Sequence, residues 1–208
     1  IDLMTDLRMQ SSSEPDSRHR LVEEQRRIAE IGRIVSSTLE LDDVFSAFVE
    51  QARELLPFHR IVISLVDDEH TTITDVLIDG IIVDDGKPGH QHPVSGDVKE
   101  NVIRNNDVMV VNYPDIEQIA ARYESEKNRY DSGLNSLLIV PLTWQGSVMG
   151  TLAFRSKDGN AYGAREVDIA KQVGAQIAGA VATSNQYATL ELESAERERL
   201  ADVQRRIA

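Results

Sequence analysis

The sequence predicts an α+β domain in which a central antiparallel hairpin carries layers on both faces and long helices lie at the two ends. The first observation is the stretch Leu134–Lys157, where two apolar runs flank Gln145-Gly146. Residues Leu137–Leu142 are apolar throughout, which is typical of a strand buried on both faces. A strand with one face exposed to solvent instead alternates apolar and polar residues. The second observation is a helical pattern from Gly159 to the end of the sequence.

The hairpin is the best-defined element. Gly146 supplies the positive φ that a tight turn needs. The return strand alternates, with Val148, Gly150, Leu152 and Phe154 on one side and Met149, Thr151, Ala153 and Arg155 on the other.

Composition excludes several classes of function. The chain has 208 residues, of which 41% are hydrophobic and 27% charged, enough for a core of its own. Its net charge of −13 disfavours nucleic acid and anionic membranes as partners, since both reward a basic face. There is no cysteine, which excludes disulfides, thiolate ligands and a covalently linked bilin. No apolar run approaches the roughly 20 residues that span a bilayer, so we expect no direct membrane contact and a cytoplasmic location.

The N-terminal region predicts a helix with an apolar seam. Residues 1–16 are typical of a linker or of the tail of an upstream region, and since Ile1 stands where Met would, we expect a longer polypeptide. In the following helix, over residues 17–37, apolar residues recur at heptad spacing. These are Leu21, Ile28 and Val35, with Ile31 at the other seam position.

The next segment predicts a helix and two strands. Asp42 or Asp43 is expected to cap the helix Val44–Leu56, which Pro57 ends. The strands are Ile61–Val66 and Thr71–Ile78, the second with a candidate extension over Gly80–Val83, and the acidic turn Asp67–His70 joins them.

A loop over Asp84–Pro93 follows, rich in Gly and Pro. Ser95 or Asp97 is expected to cap a short helix that ends near Asn105. After a strand at Val108–Val111, Pro114 suits the first turn of a helix that runs to about Asp131. One side of this helix carries Ile116, Ile119, Ala120 and Tyr123.

The C-terminal helix is too long to bury itself on one small domain. Its apolar residues fall at spacings of three and four, and the stripe continues with a phase shift beyond Ser184, so we expect residues 184–208 to pair with another helix. In addition, residues 197–208 repeat residues 18–29 at 8 of 12 positions. This echo indicates a repeated module, unless charged helices of similar composition coincide by chance.

Five stretches, taken in order, resemble the GAF domain family. They are STLELDDVF, PFHRIVISLVDD, HPVSGDVKENVIRNNDVMVVN, NSLLIVPLTWQGSVMGTLAF and AYGAREVDIAKQVGAQIAGAV. The resemblance covers roughly residues 24–185 and implies a GAF (PAS-like) fold with a sheet of five or six antiparallel strands. The terminal helices would pack on one face, and the loop and short helices between the third and fourth strands would enclose a ligand cavity on the other.

The resemblance also implies a division of the chain. Residues 17–41 would be an N-terminal signalling helix, residues 42–183 the GAF core and residues 184–208 a coiled-coil signalling helix leading into a further domain. The implied function is a non-catalytic regulatory or sensory module of a signal-transduction protein, in particular a sensor histidine kinase of a two-component system. It would form a parallel homodimer through its terminal helices. The residues expected at that interface are Leu21, Ile28, Ile31, Val35, Ile177, Val181, Ala188 and Leu192.

By family position, an unknown small molecule would occupy a largely apolar pocket. Its expected lining is Leu65, Val94, Val98, Met109, Tyr113, Ile119, Tyr123, Leu138, Val140 and Phe154. Tyr123 and Tyr130 are the candidates for a polar contact with the ligand. The alternative is that these residues form an ordinary core and that the domain relays a signal without a ligand.

Other chemistry has weaker support. His90 and His92 could bind haem iron or another metal, which would make the domain a redox sensor, although polar loops often contain His. The acidic runs at residues 67–69 and 84–85 are interpreted as turns and not as cation sites. No nucleophile–base motif, phosphate-binding loop or H-E-x-x-H is present, so an enzyme is the weakest alternative.

Overall fold

A computed structural model describes residues 20–28, 41–84 and 86–182 of the chain. Its helices are α1 (residues 20–28), α2 (Leu41–Leu55), α3 (Glu100–Asn105), α4 (Asp115–Arg122), α5 (Glu124–Asp131) and α6 (residues 164–182). Its strands are β1 (Arg60–Val66), β2 (Thr72–Gly80), β3 (Gln91–Pro93), β4 (Met109–Val111), β5 (Ser136–Trp144) and β6 (Ser147–Ser156). The strands form one antiparallel six-stranded sheet in the order β3-β2-β1-β6-β5-β4. The predicted α+β class and antiparallel sheet are confirmed.

The central hairpin has the predicted turn but an unpredicted irregularity. Gln145 and Gly146 both have positive φ, 49° and 86°, as a two-residue hairpin loop requires. One strand step further in, Leu142 pairs with Gly150 and Thr143 pairs with Val148, so Met149 is an extra residue, a β-bulge. The extra residue reverses the alternation beyond it, and the prediction that Val148 shares a side with Leu152 is therefore wrong.

One face of the sheet packs against the terminal helices. Its core combines buried apolar side chains of β1, β5 and β6 with those of α2 and α6. The Phe58 and Phe154 rings lie 5.5 Å apart between their centroids, and neither side chain has more than a few per cent of its surface exposed. The buried residues of α6 include Ile169, Ala170, Val173, Ile177, Ala178 and Val181, which confirms the predicted helical spacing. We call this side of the sheet the helix face.

The opposite side, which we call the cover face, carries α3, α4 and α5. Its apolar core includes residues of β1, β5 and β6 that alternate with those of the helix face, together with residues of the short helices. The members are Val62, Val98, Val102, Val111, Ile116, Leu137, Ile139 and Ala153. The layers on both faces that the hairpin pattern predicts are therefore present.

Several predicted boundaries are wrong. Helix α2 begins at Leu41, so Asp42 and Asp43 lie within its first turn instead of before it. Strand β2 ends at Gly80 without the extension to Val83. The predicted loop Asp84–Pro93 contains the edge strand β3, which pairs with the start of β2.

The short helices also differ from prediction. The residue before α3 is Lys99, and neither Ser95 nor Asp97 occupies the capping position. The helix expected from Pro114 to Asp131 is two helices, because the backbone of Tyr123 is extended, with φ −118° and ψ 118°. The break lets α4 and α5 pack against different parts of the cover face.

Helix α1 lies directly on α6. The side chain of Gln25 donates a hydrogen bond to Gln172 at 3.0 Å, and Arg165 donates one to Glu24 at 3.0 Å. Ile28 is buried in the core of the helix face. The first and last described helices are therefore in contact through side chains of both.

The residues predicted for the dimer interface fall into three groups. Ile28, Ile177 and Val181 are buried in the core of the single chain, where they contact residues of the same domain. Leu21 is 60% exposed and Val22 beside it is 66% exposed. The remaining residues, Ile31, Val35, Ala188 and Leu192, lie outside the described residues, as do the tail at 1–16 and the repeat at 197–208. Among the described residues no helix is both long enough and apolar enough to cross a membrane.

Candidate functional site

The ten residues predicted to line a pocket do not surround one cavity. Four of them belong to the helix face, namely Leu65, Leu138, Val140 and Phe154. Five belong to the cover face, namely Val94, Val98, Met109, Ile119 and Tyr123. The tenth, Tyr113, is about half exposed at the surface. The predicted residues of β1, β5 and β6 all face the terminal helices, whereas the alternate strand positions, such as Leu137, Ile139 and Ala153, face the cover layer.

The two tyrosines predicted to make a polar contact both pack against the apolar core of the cover face. The Tyr130 hydroxyl donates a hydrogen bond to Glu117 Oε1 at 2.9 Å on the surface. This bond raises the pKa of Tyr130 above its ordinary value, because ionising the phenol would remove the donated proton. The phenolate would also lie next to the negative charge of Glu117.

A polar cleft of about 250 Å³ opens on the cover face, between the segment that follows β3 and helix α5. Its lining is His90, His92, Pro93, Ser95, Gly96, Asp97, Ser125 and Arg129. Most of the residues that line the cleft are polar, whereas the sequence predicts an apolar pocket, and the apolar side chains of the cover face form a separate core.

A buried ionic cluster lies at one end of this cleft, and we call it the lysine cluster. Lys99 and Asp75 are only 1% and 2% exposed. The Lys99 ammonium donates hydrogen bonds to Asp75 Oδ1 and to Ser64 Oγ, each at 2.9 Å, and Ser64 Oγ donates to Asp75 Oδ1 at 2.6 Å. Lys99 precedes α3, whereas Asp75 and Ser64 are on paired strands, so the cluster ties the cover layer to the sheet.

The environment of Asp75 keeps it ionised. Burial alone would raise the pKa of its carboxyl, but hydrogen bonding from His92, the Lys99 charge and the Ser64 hydroxyl together hold that pKa well below the usual range. A carboxylate in this position therefore binds the ammonium with full charge at neutral pH.

His92 extends the lysine cluster to the cleft. Its Nε2 lies 3.7 Å from Asp75 Oδ2, and its Nδ1 lies 3.5 Å from Asp97 Oδ2. The side chain of Asp97 is also buried, and its Oδ1 accepts a hydrogen bond from the Lys99 amide at 2.8 Å. The His90 ring stacks on His92, with 5.7 Å between the ring centroids. One imidazole thus stands between two carboxylates at the wall of the cleft.

A second buried ionic cluster lies at the other end of the cleft, and we call it the arginine cluster. Glu126, which is 1% exposed, accepts hydrogen bonds from Arg129 of its own helix and from both terminal nitrogens of Arg155 on β6. Burial would raise the pKa of Glu126, but the charges of Arg155 and Arg129 outweigh it and lower that pKa to about 2. Helix α5 is therefore joined to the centre of the sheet by charge.

Sequence reasoning missed both clusters, although a signal was present. Asp75 and Arg155 are charged residues inside largely apolar strands, and such residues are buried only with a partner. The sequence does not indicate that Lys99 and Glu126 are the partners of Asp75 and Arg155. Both lie in polar segments, at the start of α3 and on α5, where charged residues are usually exposed. The pairing depends on how the cover layer is placed on the sheet.

Two weaker hypotheses can be compared with the geometry. Among the described residues no group of three His, Asp or Glu side chains is arranged to hold a metal ion. In the acidic turn, Asp67 accepts hydrogen bonds from the Thr71 hydroxyl and from the amides of Thr71 and Thr72. These bonds lower the pKa of Asp67 to about 2 and support the interpretation as a structural turn.

Comparison with known proteins supplies the family. The model of the GAF domain matches residues 40–181. The structure is similar to the GAF domain of a two-component sensor histidine kinase from Bacillus halodurans, with 15% identity, 73% of this chain and 99% of that one covered, and a TM-score of 0.63.

Two further solved structures resemble it to a similar degree. One is the GAF domain of an Acinetobacter phosphoenolpyruvate-protein phosphotransferase, with 18% identity, coverage of 80% and 98%, and a TM-score of 0.64. The other is the free methionine-R-sulfoxide reductase from Neisseria meningitidis, with 14% identity, coverage of 79% and 91%, and a TM-score of 0.61. A comparison with curated protein sequences finds no match. At these identities the similarities establish the fold.

Proposed function

The chain belongs to the GAF domain family, and on that premise we propose that it is a non-catalytic sensory module of a multidomain signalling protein. In this proposal a small ligand binds in the polar cleft of the cover face, and the terminal helices on the other face transmit the response. The parent protein is a cytoplasmic regulator, and a sensor histidine kinase is our first choice because one of the structural neighbours comes from such a protein.

The observation that carries the proposal is the position of the cleft between two buried ionic clusters. Ionic clusters hold one specific arrangement of the groups they join, and they do so at little net gain in stability. Here they join the cover layer to β1, β2 and β6, the strands whose other side packs on the terminal helices. A ligand that contacts cleft residues next to both clusters changes the relative free energies of two arrangements of the cover layer.

The response must follow from differential affinity, because a ligand that binds two arrangements equally shifts neither. The buried strands have alternating side chains that face the two layers, so a change in strand position moves contacts on both faces. Helix α6 contacts this sheet along most of its described length and is the element through which we expect the change to leave the domain.

A ligand screen tests the cleft. Thermal denaturation would be measured with small metabolites that are anionic, cationic or neutral, and we expect at least one to raise the melting temperature. Ser125→Phe fills the cleft and should abolish that shift. Ser147→Phe, an equivalent change at an exposed position of the hairpin, should leave it intact. A shift that survives Ser125→Phe, or a screen without any shift, contradicts a sensory cleft.

A second experiment tests dimerisation through the terminal helices. We propose that the exposed Leu21 and Val22 of α1 contribute to the interface in place of the buried residues. Sedimentation of the 208-residue chain should show a dimer, and Leu21→Glu with Val22→Glu should shift it towards monomer. Ile82→Glu, at a residue that is 94% exposed on a loop, is the matched control. A wild-type chain that sediments as a monomer contradicts the dimer proposal and leaves the cleft proposal standing.

A further inference from the structure

Groups that can donate hydrogen bonds line both walls of the cleft. Hydroxyl groups come from Ser95 on one wall and Ser125 on the other, and the Arg129 guanidinium and His90 imidazole also line it. The lining contains one carboxylate, that of Asp97, which is already engaged by the Lys99 amide and faces His92. A ligand that enters therefore meets donors on facing walls.

The contacts of His92 with its two carboxylates depend on its charge. The distances of 3.7 Å to Asp75 and 3.5 Å to Asp97 are ion-pair distances, and the ion pairs exist only while the imidazole is protonated. A neutral imidazole has one N–H and turns a lone pair to one of the two carboxylates. A protonated imidazole donates from both nitrogens. Imidazole is the side chain that changes charge between about pH 5 and 8.

Charged groups face His92 from every element around it. Asp75 comes from β2, Asp97 and Lys99 from the segment before α3, and His90 from the loop before β3. Across the cleft, α5 contributes Arg129, which holds Glu126. Asp75 and Asp97 together carry two negative charges, and Lys99 carries one positive charge. The sum is −1 while His92 is neutral and zero when His92 is protonated.

We propose that the cleft takes a small anion, with a carboxylate or phosphate group, and that His92 takes up one proton as the anion binds. An anion placed beside Asp97 adds negative charge next to a group that is negative unless His92 is protonated, so anion and proton bind together. This inference rests on the proposed function of the cleft and adds to it the charge of the ligand and its pH dependence.

The size of the cleft limits the ligand further. A volume of about 250 Å³ lies just below the roughly 300–1,000 Å³ found for ligand pockets. Small organic acids and phosphate esters suit such a space.

Titration of the whole chain followed by NMR tests the proposal. The probes are succinate and inorganic phosphate, with methylammonium as the cationic comparison, and the amide signals of Ser95, Gly96 and Ser125 report binding. We expect anion affinity to fall by up to about tenfold for each pH unit as pH rises through the titration of His92, because one proton is linked to binding. The imidazole signals of His92 should titrate at higher pH when the anion is saturating.

Two variants separate this linkage from a structural role of His92. His92→Gln keeps a polar side chain that does not titrate and should bind the anion with a flat pH profile. His70→Asn, at an exposed turn position where φ is 53°, should keep the wild-type profile. Equal affinity at about pH 6 and pH 8, a titration of His92 that the anion leaves unmoved, or preference for methylammonium overturns the inference.

The outcomes distinguish this inference from the proposed function. If a neutral or cationic compound binds and Ser125→Phe abolishes its binding, the sensory cleft stands and the anion inference falls. If no compound of any charge binds in a manner that depends on Ser125, both fall.

Discussion

The two faces of one sheet are held to their covering helices by different physics. On the helix face, the buried side chains that the described parts of α2 and α6 contribute are apolar, such as Phe48 and Ile177, and they pack on apolar strand residues such as Phe154. On the cover face, a smaller apolar core is supplemented by two ionic clusters in which Lys99, Asp75 and Glu126 are almost fully buried. Apolar contacts are non-directional, whereas hydrogen-bonded charges fix distances and angles.

The difference separates stability from specificity. Burial of apolar surface is the dominant favourable term in folding, so the helix face is expected to supply most of the stability. A buried ion pair is roughly neutral for stability, yet removing one member is costly because the other is left without its partner. The cover face is therefore the side that a ligand can rearrange by altering a few charges, and each of the following experiments tests that contrast.

The largest effect is expected from the helix face. Phe154→Ala removes a ring that is fully buried against Phe58, and it should lower the free energy of unfolding by about 3–5 kcal/mol. Chemical denaturation measures this loss, which should be insensitive to pH and salt because no charge is involved. A strong pH dependence of the loss would contradict the assignment of this face to apolar packing.

On the cover face, Glu126→Gln should cost about 3 kcal/mol, since it leaves Arg129 and Arg155 buried without their carboxylate. Denaturation of the variant measures the loss. The same helix supplies the control: Asp131 pairs with Lys127 at 3.1 Å at the surface, and Asp131→Asn should cost less than about 1 kcal/mol. Similar losses for the two variants would show that the buried cluster has no special role.

Acid should weaken the cover face selectively. Because the pKa of Glu126 is lowered to about 2 in the folded state from an ordinary 4.5, its stabilising contribution is complete above about pH 5 and is lost as pH falls towards 2. Asp75, whose pKa is also lowered, acts in the same direction. Between about pH 5 and 3 we expect the wild type to lose about 2 kcal/mol more than Glu126→Gln does, measured by denaturation at each pH. Parallel pH profiles for the two proteins would rule out this linkage.

The smallest effects distinguish rigid from yielding contacts within the helix face. A Cβ at Gly174 would lie 3.2 Å from Val140, which is fully buried, and a Cβ at Gly179 would lie 3.2 Å from Trp144, which is 38% exposed at the hairpin tip. Ala is favoured over Gly in helices by about 1 kcal/mol. Gly179→Ala should therefore be neutral or slightly stabilising, whereas Gly174→Ala should cost about 1 kcal/mol. Chemical denaturation of both variants measures the change in the free energy of unfolding. A larger loss for Gly179→Ala than for Gly174→Ala would show that the hairpin tip is the more rigid site.

Elements whose conformation depends on their own residues could be predicted from the sequence. The Gln145-Gly146 turn, the strands around it and the spacing on α6 follow from local chemistry, and the structure confirms them. The bulge at Met149 could not be foreseen, because one extra residue in a strand leaves the pattern of apolar residues almost unchanged.

The candidate site was less accessible to sequence reasoning. The pocket residues were assigned by family position, and Leu138, Val140 and Phe154 fell on the wrong side of the sheet. The residues that line the cleft come from β3, from the loops on either side of it and from α5, and their meeting depends on tertiary packing. His92 was singled out as a metal candidate, while the structure places it between Asp75 and Asp97.

The contact between α1 and α6 has a consequence for how such a module would sit in a longer polypeptide. Glu24 and Gln25 touch Arg165 and Gln172, so the described part of the entering helix lies against the first half of α6. A rotation of α1 would move α6 directly through these two side-chain pairs. The sheet and the cleft would not be needed to transmit that movement. Upstream input and bound anion would then act on the same helix from two independent directions.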